Sequence, residues 1–131
     1  MNVPESQRWL AYARSDLNAA DALLRDPDHY PRQVCFLAQQ AAEKALKAVL
    51  VLLEVEFPFT HDLDRLREIV PSGWQVKTTF PNLYALSVWA VEARYPGDLP
   101  EVVEADARDA LHTAEAVYQT VANDWQARVK A

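Results

Sequence analysis

The chain has 131 residues, half of them hydrophobic, and a formal net charge of −6. This length and composition fit one domain, residues 1–131, with a substantial buried core. The negative charge argues against sequence-independent binding of duplex nucleic acid, which depends on many contacts from Lys and Arg to phosphates. The sequence contains only two glycines, Gly73 and Gly97, whereas strand-rich folds need more of them for their turns. The composition therefore favours helices.

The single cysteine excludes an intrachain disulfide, and nothing in the sequence indicates an oxidising compartment. Cys35 stands beside Phe36 and Leu37 and is expected to be a small buried apolar residue. Residues 1–9 lack the apolar centre of a signal peptide, and the apolar run 45–53 is interrupted by Lys47 and is too short to span a bilayer. We therefore expect a cytoplasmic protein without a membrane segment.

Hydrophobic residues recur at intervals of three and four in five segments, which predicts five helices. The expected helices cover about residues 4–25, 31–53, 60–70, 81–95 and 100–128, and the third of them is short. Residues 74–80 are ambiguous between a loop and an irregular start of the fourth helix. The predicted fold is an all-α, up-and-down antiparallel bundle of four long helices and one short helix.

Residues suited to helix ends mark several of these boundaries. Asn2 with Glu5 resembles a capping box at the start of the first helix, and Thr60 is a suitable N-cap for the third. Asp98 with Glu101 resembles a second capping box before the last helix. The residues of the last helix that are expected to face the core are Val103, Ala107, Ala110, Ala114, Val117, Val121 and Trp125.

The second helix contains the stretch Gln39–Leu50, which the other elements are expected to cover. One side of it is apolar, and Gln40, Lys44 and Lys47 form a polar stripe at spacing i, i+4 and i+7. Two lysines on an otherwise apolar helix of an acidic protein indicate an anion site or a shared interface. The alternative is surface salt bridges, such as Glu43 with Lys47 at i and i+4.

Apolar residues also border this stripe. Phe36 and Val51 flank it, which favours a subunit contact over plain exposure to solvent.

Motifs for metal and phosphate chemistry are missing from the sequence. It has no cysteine–histidine spacing for zinc, no glycine-rich phosphate loop and no Glu-x-x-His pair of a di-iron bundle, so we predict no metal and no cofactor. The histidines are scattered. His112 is expected at the surface, and His61 is open between local packing in a first helical turn and a functional role.

Five features occur in one order along the chain. They are Trp9 with Ala13, Asp16-Leu17 and Ala20, the block Ala42-Glu43-Lys44-Ala45-Leu46-Lys47-Ala48, the block Thr60-His61-Asp62-Leu63, the block Ala93-Arg94-Tyr95-Pro96, and a long alanine-rich last helix. In this order they resemble the HEPN domain (higher eukaryotes and prokaryotes nucleotide-binding) over nearly the whole chain. The resemblance implies a helical bundle that commonly forms homodimers. Prokaryotic members often act beside a minimal nucleotidyltransferase in a toxin–antitoxin or nucleotide-handling pair, and many others are metal-independent RNases.

The RNase members carry an Arg followed after four to six residues by a His, which supply a phosphate contact and acid–base chemistry. The candidate Arg is Arg94, and the positions where the His would fall are Leu99, Pro100 and Glu101. None of these can replace an imidazole. The sequence therefore resembles a branch of the family without this motif.

The predicted function is a non-catalytic, homodimeric module that binds a nucleotide or another phosphate ligand, or docks a minimal nucleotidyltransferase. Arg94 could instead only cap a helix end, and in the functional alternative it holds a phosphate while Tyr95 stacks on a base. Two other functions stay open: an RNase toxin in which His61 lies near Arg94 in space, and a structural dimer without a small ligand. The candidate ligand-binding residues are Gln40, Lys44, Lys47, His61, Arg94 and Tyr95.

Overall fold

A computed structural model describes residues 1–93, 96 and 101–130. Within these residues the chain forms helices and no strands. The three long helices are α1 (Val3–Arg25), α2 (Pro31–Leu52) and α7 (Glu104–Val129). Between α2 and α7 lie the short helices α3 (Leu63–Ile69), α4 (Gln75–Thr79), α5 (Tyr84–Ser87) and α6 (Trp89–Glu92).

Hydrogen bonds between helix ends define the directions of the long helices. The Asn2 amide donates to the Leu52 carbonyl at 2.9 Å, so the start of α1 lies beside the end of α2. The Trp125 indole, near the end of α7, donates to the Ser6 hydroxyl, near the start of α1, at 2.9 Å. α1 is therefore antiparallel to α7 as well. The predicted all-α, up-and-down bundle is confirmed.

α2 is the central helix of the bundle, because it packs against α1, α3, α5, α6 and α7. The apolar spacing of the sequence predicted its buried side correctly. The residues that recur along it at intervals of three and four are all fully buried: Val34, Ala38, Ala41, Ala45, Ala48 and Leu52. Small alanine side chains at these positions allow the neighbouring helices to approach α2 closely. Cys35 is buried here as predicted.

The predicted fourth long helix is instead a short and interrupted stretch. α5 ends at Ser87 and α6 begins at Trp89, and Val88 between them keeps helical angles of φ −61° and ψ −24°. The Ser87 hydroxyl donates to the His61 carbonyl at 3.3 Å and accepts from the Leu63 amide at 2.9 Å, which ties the end of α5 to the start of α3. The apolar residues that recur at intervals of three and four in this stretch are nevertheless buried: Leu83, Leu86, Ala90 and Ala93.

Two predicted details of helix starts are wrong. α3 is capped by Asp62, whose carboxylate accepts from the amides of Asp64 and Arg65, because the helix begins two residues later than the Thr60 prediction requires. Val103 was expected in the core but is 53% exposed, because it is the N-cap of α7 and precedes its first turn. The predicted capping box at Asp98 lies outside the described residues.

Candidate functional site

Four polar residues form a cluster where the connection between α2 and α3 folds back over α2. We call Gln39, Glu43, Lys47 and His61 the Glu43 cluster. The first three occupy positions i, i+4 and i+8 of α2 and therefore share one face of the helix. Gln39 is fully buried, Glu43 is 5% exposed and Lys47 is 7% exposed. Charged residues are rarely this buried unless they are paired.

The Glu43 carboxylate is the centre of the cluster. Its Oε2 accepts a hydrogen bond from Lys47 Nζ at 3.0 Å. Its Oε1 contacts Gln39 Nε2 at 3.3 Å and His61 Nδ1 at 2.8 Å. Because a carboxylate oxygen accepts, His61 must carry a proton on Nδ1, and Nε2 is the ring nitrogen left to exchange protons. The His61 side chain is 43% exposed, so solvent and ligands can reach the ring.

Aromatic rings surround the ionic pair. The Lys47 ammonium lies 6.0 Å from the centroid of the Trp9 ring and 5.7 Å from that of Phe57, within the range of cation–π attraction. Phe59 meets the His61 ring edge-on at 5.9 Å and is 95% exposed. The site thus combines buried charges with a partly exposed imidazole and an exposed phenyl ring.

The backbone at His61 is held from two sides. Its carbonyl accepts hydrogen bonds from Gln39 Nε2 at 3.0 Å and from the Ser87 hydroxyl at 3.3 Å. Side chains of α2 and α5 therefore both anchor the backbone at His61.

The structure divides the predicted polar stripe of α2. Lys44 Nζ contacts Asp16 Oδ2 of α1 at 2.6 Å, and both side chains are partly buried. Gln40 donates to the Gln39 side chain at 2.8 Å and so adjoins the Glu43 cluster. Lys47 forms the predicted pair with Glu43, but this pair is buried rather than at the surface. Each of the two lysines therefore already has a carboxylate partner.

Sequence reasoning missed Gln39 and Glu43 as members of the site. The available signal was their spacing, because Gln39, Glu43 and Lys47 repeat every four residues toward a His-containing connection.

Arg94 and Tyr95 lie outside the described residues. Their predicted roles as a phosphate contact and a stacking ring, and the alternative in which His61 lies near Arg94, therefore stay predictions. The preceding residue is described: the Ala93 carbonyl accepts from Arg32 Nη1 at 2.9 Å, near the start of α2. Among the described residues, no three or more His, Cys, Asp or Glu side chains come together in a way that could hold a metal ion. The described helices also include none that is long and apolar enough to cross a membrane.

The family model of the HEPN domain matches residues 6–125 of this chain. The chain belongs to the HEPN family. The Glu43 cluster lies inside the matched region, and the family assignment agrees with the helical bundle described above.

Individual proteins are similar to this HEPN chain over nearly its full length. A protein of Methanocaldococcus jannaschii named "Putative toxin MJ1304" is 29% identical over 135 aligned positions, which cover 92% of this chain and 88% of that protein. The crystal structure of TT1696 from Thermus thermophilus has a TM-score of 0.77 and 26% identity, and the match covers 94% of this chain and 98% of the other. A structure described as "ST0689, an archaeal HEPN homologue" matches with a TM-score of 0.66 at 24% identity, which shows a shared fold.

Proposed function

We propose that this chain is the HEPN component of a toxin–antitoxin-like pair, and that it binds a nucleotide or another phosphate ligand at the exposed His61 ring of the Glu43 cluster. We further propose that it acts as a homodimer beside a minimal nucleotidyltransferase and does not itself cleave RNA. The similarity to a protein whose name includes the word toxin supports the general role. The single observation that carries the ligand proposal is the contact of His61 Nδ1 with the buried Glu43 carboxylate at 2.8 Å.

The energetics of the cluster support a functional role. Buried ion pairs contribute little net stability compared with apolar residues of similar size. We therefore infer that the Glu43–Lys47 pair serves to position a polar group, and the group of the cluster that reaches the surface is His61. A phosphate would contact the exposed imidazole, while a base could stack on Phe59, whose ring is almost fully exposed.

The other candidate residues have secondary places in this proposal. Lys44 is partly exposed and could exchange Asp16 for a ligand phosphate. Lys47 is buried and would affect the ligand only indirectly, through its pair with Glu43. Gln40 borders the cluster through Gln39. Arg94 and Tyr95 remain proposed ligand contacts from the residues that follow α6.

A thermal-shift titration tests ligand binding. The purified protein is mixed with inorganic phosphate, AMP or ATP at up to millimolar concentration. A ligand at 100 times its dissociation constant stabilises the folded state by about 2.7 kcal/mol, so binding should raise the Tm by several degrees. His61→Ala and Arg94→Ala should reduce the shift, and His112→Ala, at an exposed position on α7, is the matched control. The absence of any shift in the wild-type protein would refute the ligand proposal.

The assembly proposals need separate measurements. Sedimentation at tens of micromolar should give a dimer, and a monomer would contradict that part. Co-purification with a co-expressed minimal nucleotidyltransferase from the same genome tests the partner, and two proteins that elute separately would count against it.

The geometry of His61 also favours a second candidate function, a metal-independent RNase with an unusual active site. A carboxylate that fixes Nδ1 leaves Nε2 available as a general acid or base, which is the arrangement that ribonucleotide cleavage needs. Incubation with tRNA and mRNA decides between the candidates. Cleavage that disappears in both His61→Ala and Arg94→Ala would establish the RNase function. If the RNA stays intact with the wild-type protein, the non-catalytic binding function is favoured.

A further inference from the structure

The turn between α1 and α2 contains two strained residues in succession. His29 and Tyr30 have φ values of 59° and 39°, in the left-handed region that non-glycine residues rarely adopt. Such conformations cost about 1–2 kcal/mol per residue and persist where the surroundings hold them in place. The side chain of His29 supplies interactions that can hold this turn.

Both ring nitrogens of His29 contact hydrogen-bond acceptors. Nδ1 lies 2.7 Å from the Leu24 carbonyl oxygen, in the last turn of α1. Nε2 lies 2.8 Å from Oε1 of Glu104, the first residue of α7. A carbonyl oxygen only accepts. The Glu104 carboxylate also accepts, because a hydrogen bond from Arg108 lowers the pKa of Glu104 and so favours its ionised form.

Two acceptors require two N–H donors. Neutral imidazole has one, whereas imidazolium has two, so only the protonated ring makes both contacts. The position suits a cation, because the last carbonyls of a helix carry partial negative charge. The charged and titratable residues that adjoin His29 in sequence are Arg25, Asp26, Asp28, Tyr30 and Arg32. Those of the first turns of α7 are Asp106, Glu104, which contacts His29, and Arg108, which pairs with Glu104.

The neighbouring charges are mostly paired elsewhere. Arg25 pairs with Asp21 at 3.0 Å, and Asp26 accepts from the Asp28 amide at 2.9 Å. Arg32 donates to the Ala93 carbonyl at the end of α6. The first turn of α2 therefore contacts the end of α6 through Arg32, whose charge does not change near neutral pH. The turn before it contacts α7 through His29, whose charge can change.

We propose that His29 is a protonation-controlled clasp that joins the last turn of α1 to the first turn of α7. In the imidazolium form the ring bridges Leu24 and Glu104. Loss of the proton removes one of the two donors, so one acceptor loses its partner and the first turn of α7 is held less tightly. Since the ring makes both bonds at once only when it is protonated, the stabilisation by the second bond is present at acidic pH and is lost as the pH rises.

Unfolding equilibria of the wild-type protein and His29→Gln, measured between pH 5.5 and 8.5, test the clasp. At pH 5.5 the wild-type protein should be more stable than the variant. The ratio of the variant's unfolding equilibrium constant to that of the wild type should be about 3- to 10-fold smaller at pH 8.5 than at pH 5.5, as expected for the loss of one hydrogen bond. His112→Gln, at an exposed position of α7, should differ from wild type by the same amount at every pH. An equally pH-independent difference for His29→Gln would overturn the proposal.

Two further measurements do not depend on how well His29→Gln folds. In the wild-type protein, ¹⁵N resonances of the His29 ring should show protons on both nitrogens at pH 5.5, and a ring with one bare nitrogen at that pH would contradict the clasp. Amide exchange in the first turn of α7 should accelerate between pH 5.5 and 8.5 by more than the intrinsic pH dependence of the exchange reaction. Glu104→Gln should abolish that extra acceleration. If the acceleration persists in this variant, a group other than the His29–Glu104 contact causes it.

Discussion

The Lys47 ammonium is the cation that stabilises the buried Glu43 carboxylate, and its removal tests the cluster directly. Lys47→Met keeps a long side chain between Trp9 and Phe57 but removes the charge that lies 3.0 Å from Glu43. Breaking a buried ion pair by removal of one partner costs about 3–5 kcal/mol, because the other charge stays buried. Glu43 keeps its contacts with Gln39 and His61, so we expect a loss near the lower end, about 3 kcal/mol.

Urea denaturation at pH 7 measures this loss in the free energy of unfolding. A protein of this size should also lose about 10 °C in Tm. Arg25→Gln is the matched control, because it breaks an exposed i, i+4 pair with Asp21 and should change stability by at most about 0.5 kcal/mol. The double variant Glu43→Leu with Lys47→Met removes both charges and should be more stable than Lys47→Met alone. If Lys47→Met costs less than about 1 kcal/mol, the pair is effectively solvated and the reasoning fails.

The remaining predictions concern the core and the helix ends. Burial raises the pKa of the Cys35 thiol to about 12, so native protein at pH 8 should not react with thiol reagents, and addition of urea should expose one thiol per chain. The same shift means that stability should fall as the pH rises above about 9, where the unfolded thiol loses its proton, and Cys35→Ala should reduce this fall. Asp62→Ala should cost about 1 kcal/mol through loss of the α3 cap, and Thr60→Ala should cost less. Ser6→Ala should cost about 1–2 kcal/mol in urea denaturation, because it leaves the buried Trp125 N–H without its acceptor, and an unchanged midpoint would contradict this.

The sequence predicted α1 and α2 well because their apolar spacing is regular, whereas α7 begins at Glu104, about four residues later than predicted. The predicted bounds of 4–25 and 31–53 differ from the observed α1 and α2 by one residue at one end each. The region of the fourth helix was harder, since contacts distant in sequence decide it. The Leu83 amide donates to the Asp64 carboxylate at 2.8 Å, which delays the start of α5, and Ser87 bonds to the backbone of residues 61 and 63. Local spacing carries no information about such partners.

The candidate site was predicted only in part, for a similar reason. An i, i+4 pair of Glu and Lys has the same sequence pattern at the surface and in the core. The pair of Glu43 with Lys47 is buried because Trp9 and Phe57, from two other segments, cover it. His61 was singled out from the sequence, but its contact with Glu43 spans 18 positions and depends on how the connection after α2 folds back.

The position of the Glu43 cluster along the chain has a consequence for biosynthesis. Its members, and the rings of Trp9 and Phe57 that cover its lysine, all come from the first 61 residues. During synthesis on the ribosome, the N-terminal half can therefore bring the ionic pair together before α7 has been made. The contact of Ser6 with Trp125, 119 positions apart, forms only when the last helix emerges. A nascent chain would thus form the Glu43 cluster early, and α7 would complete the core last.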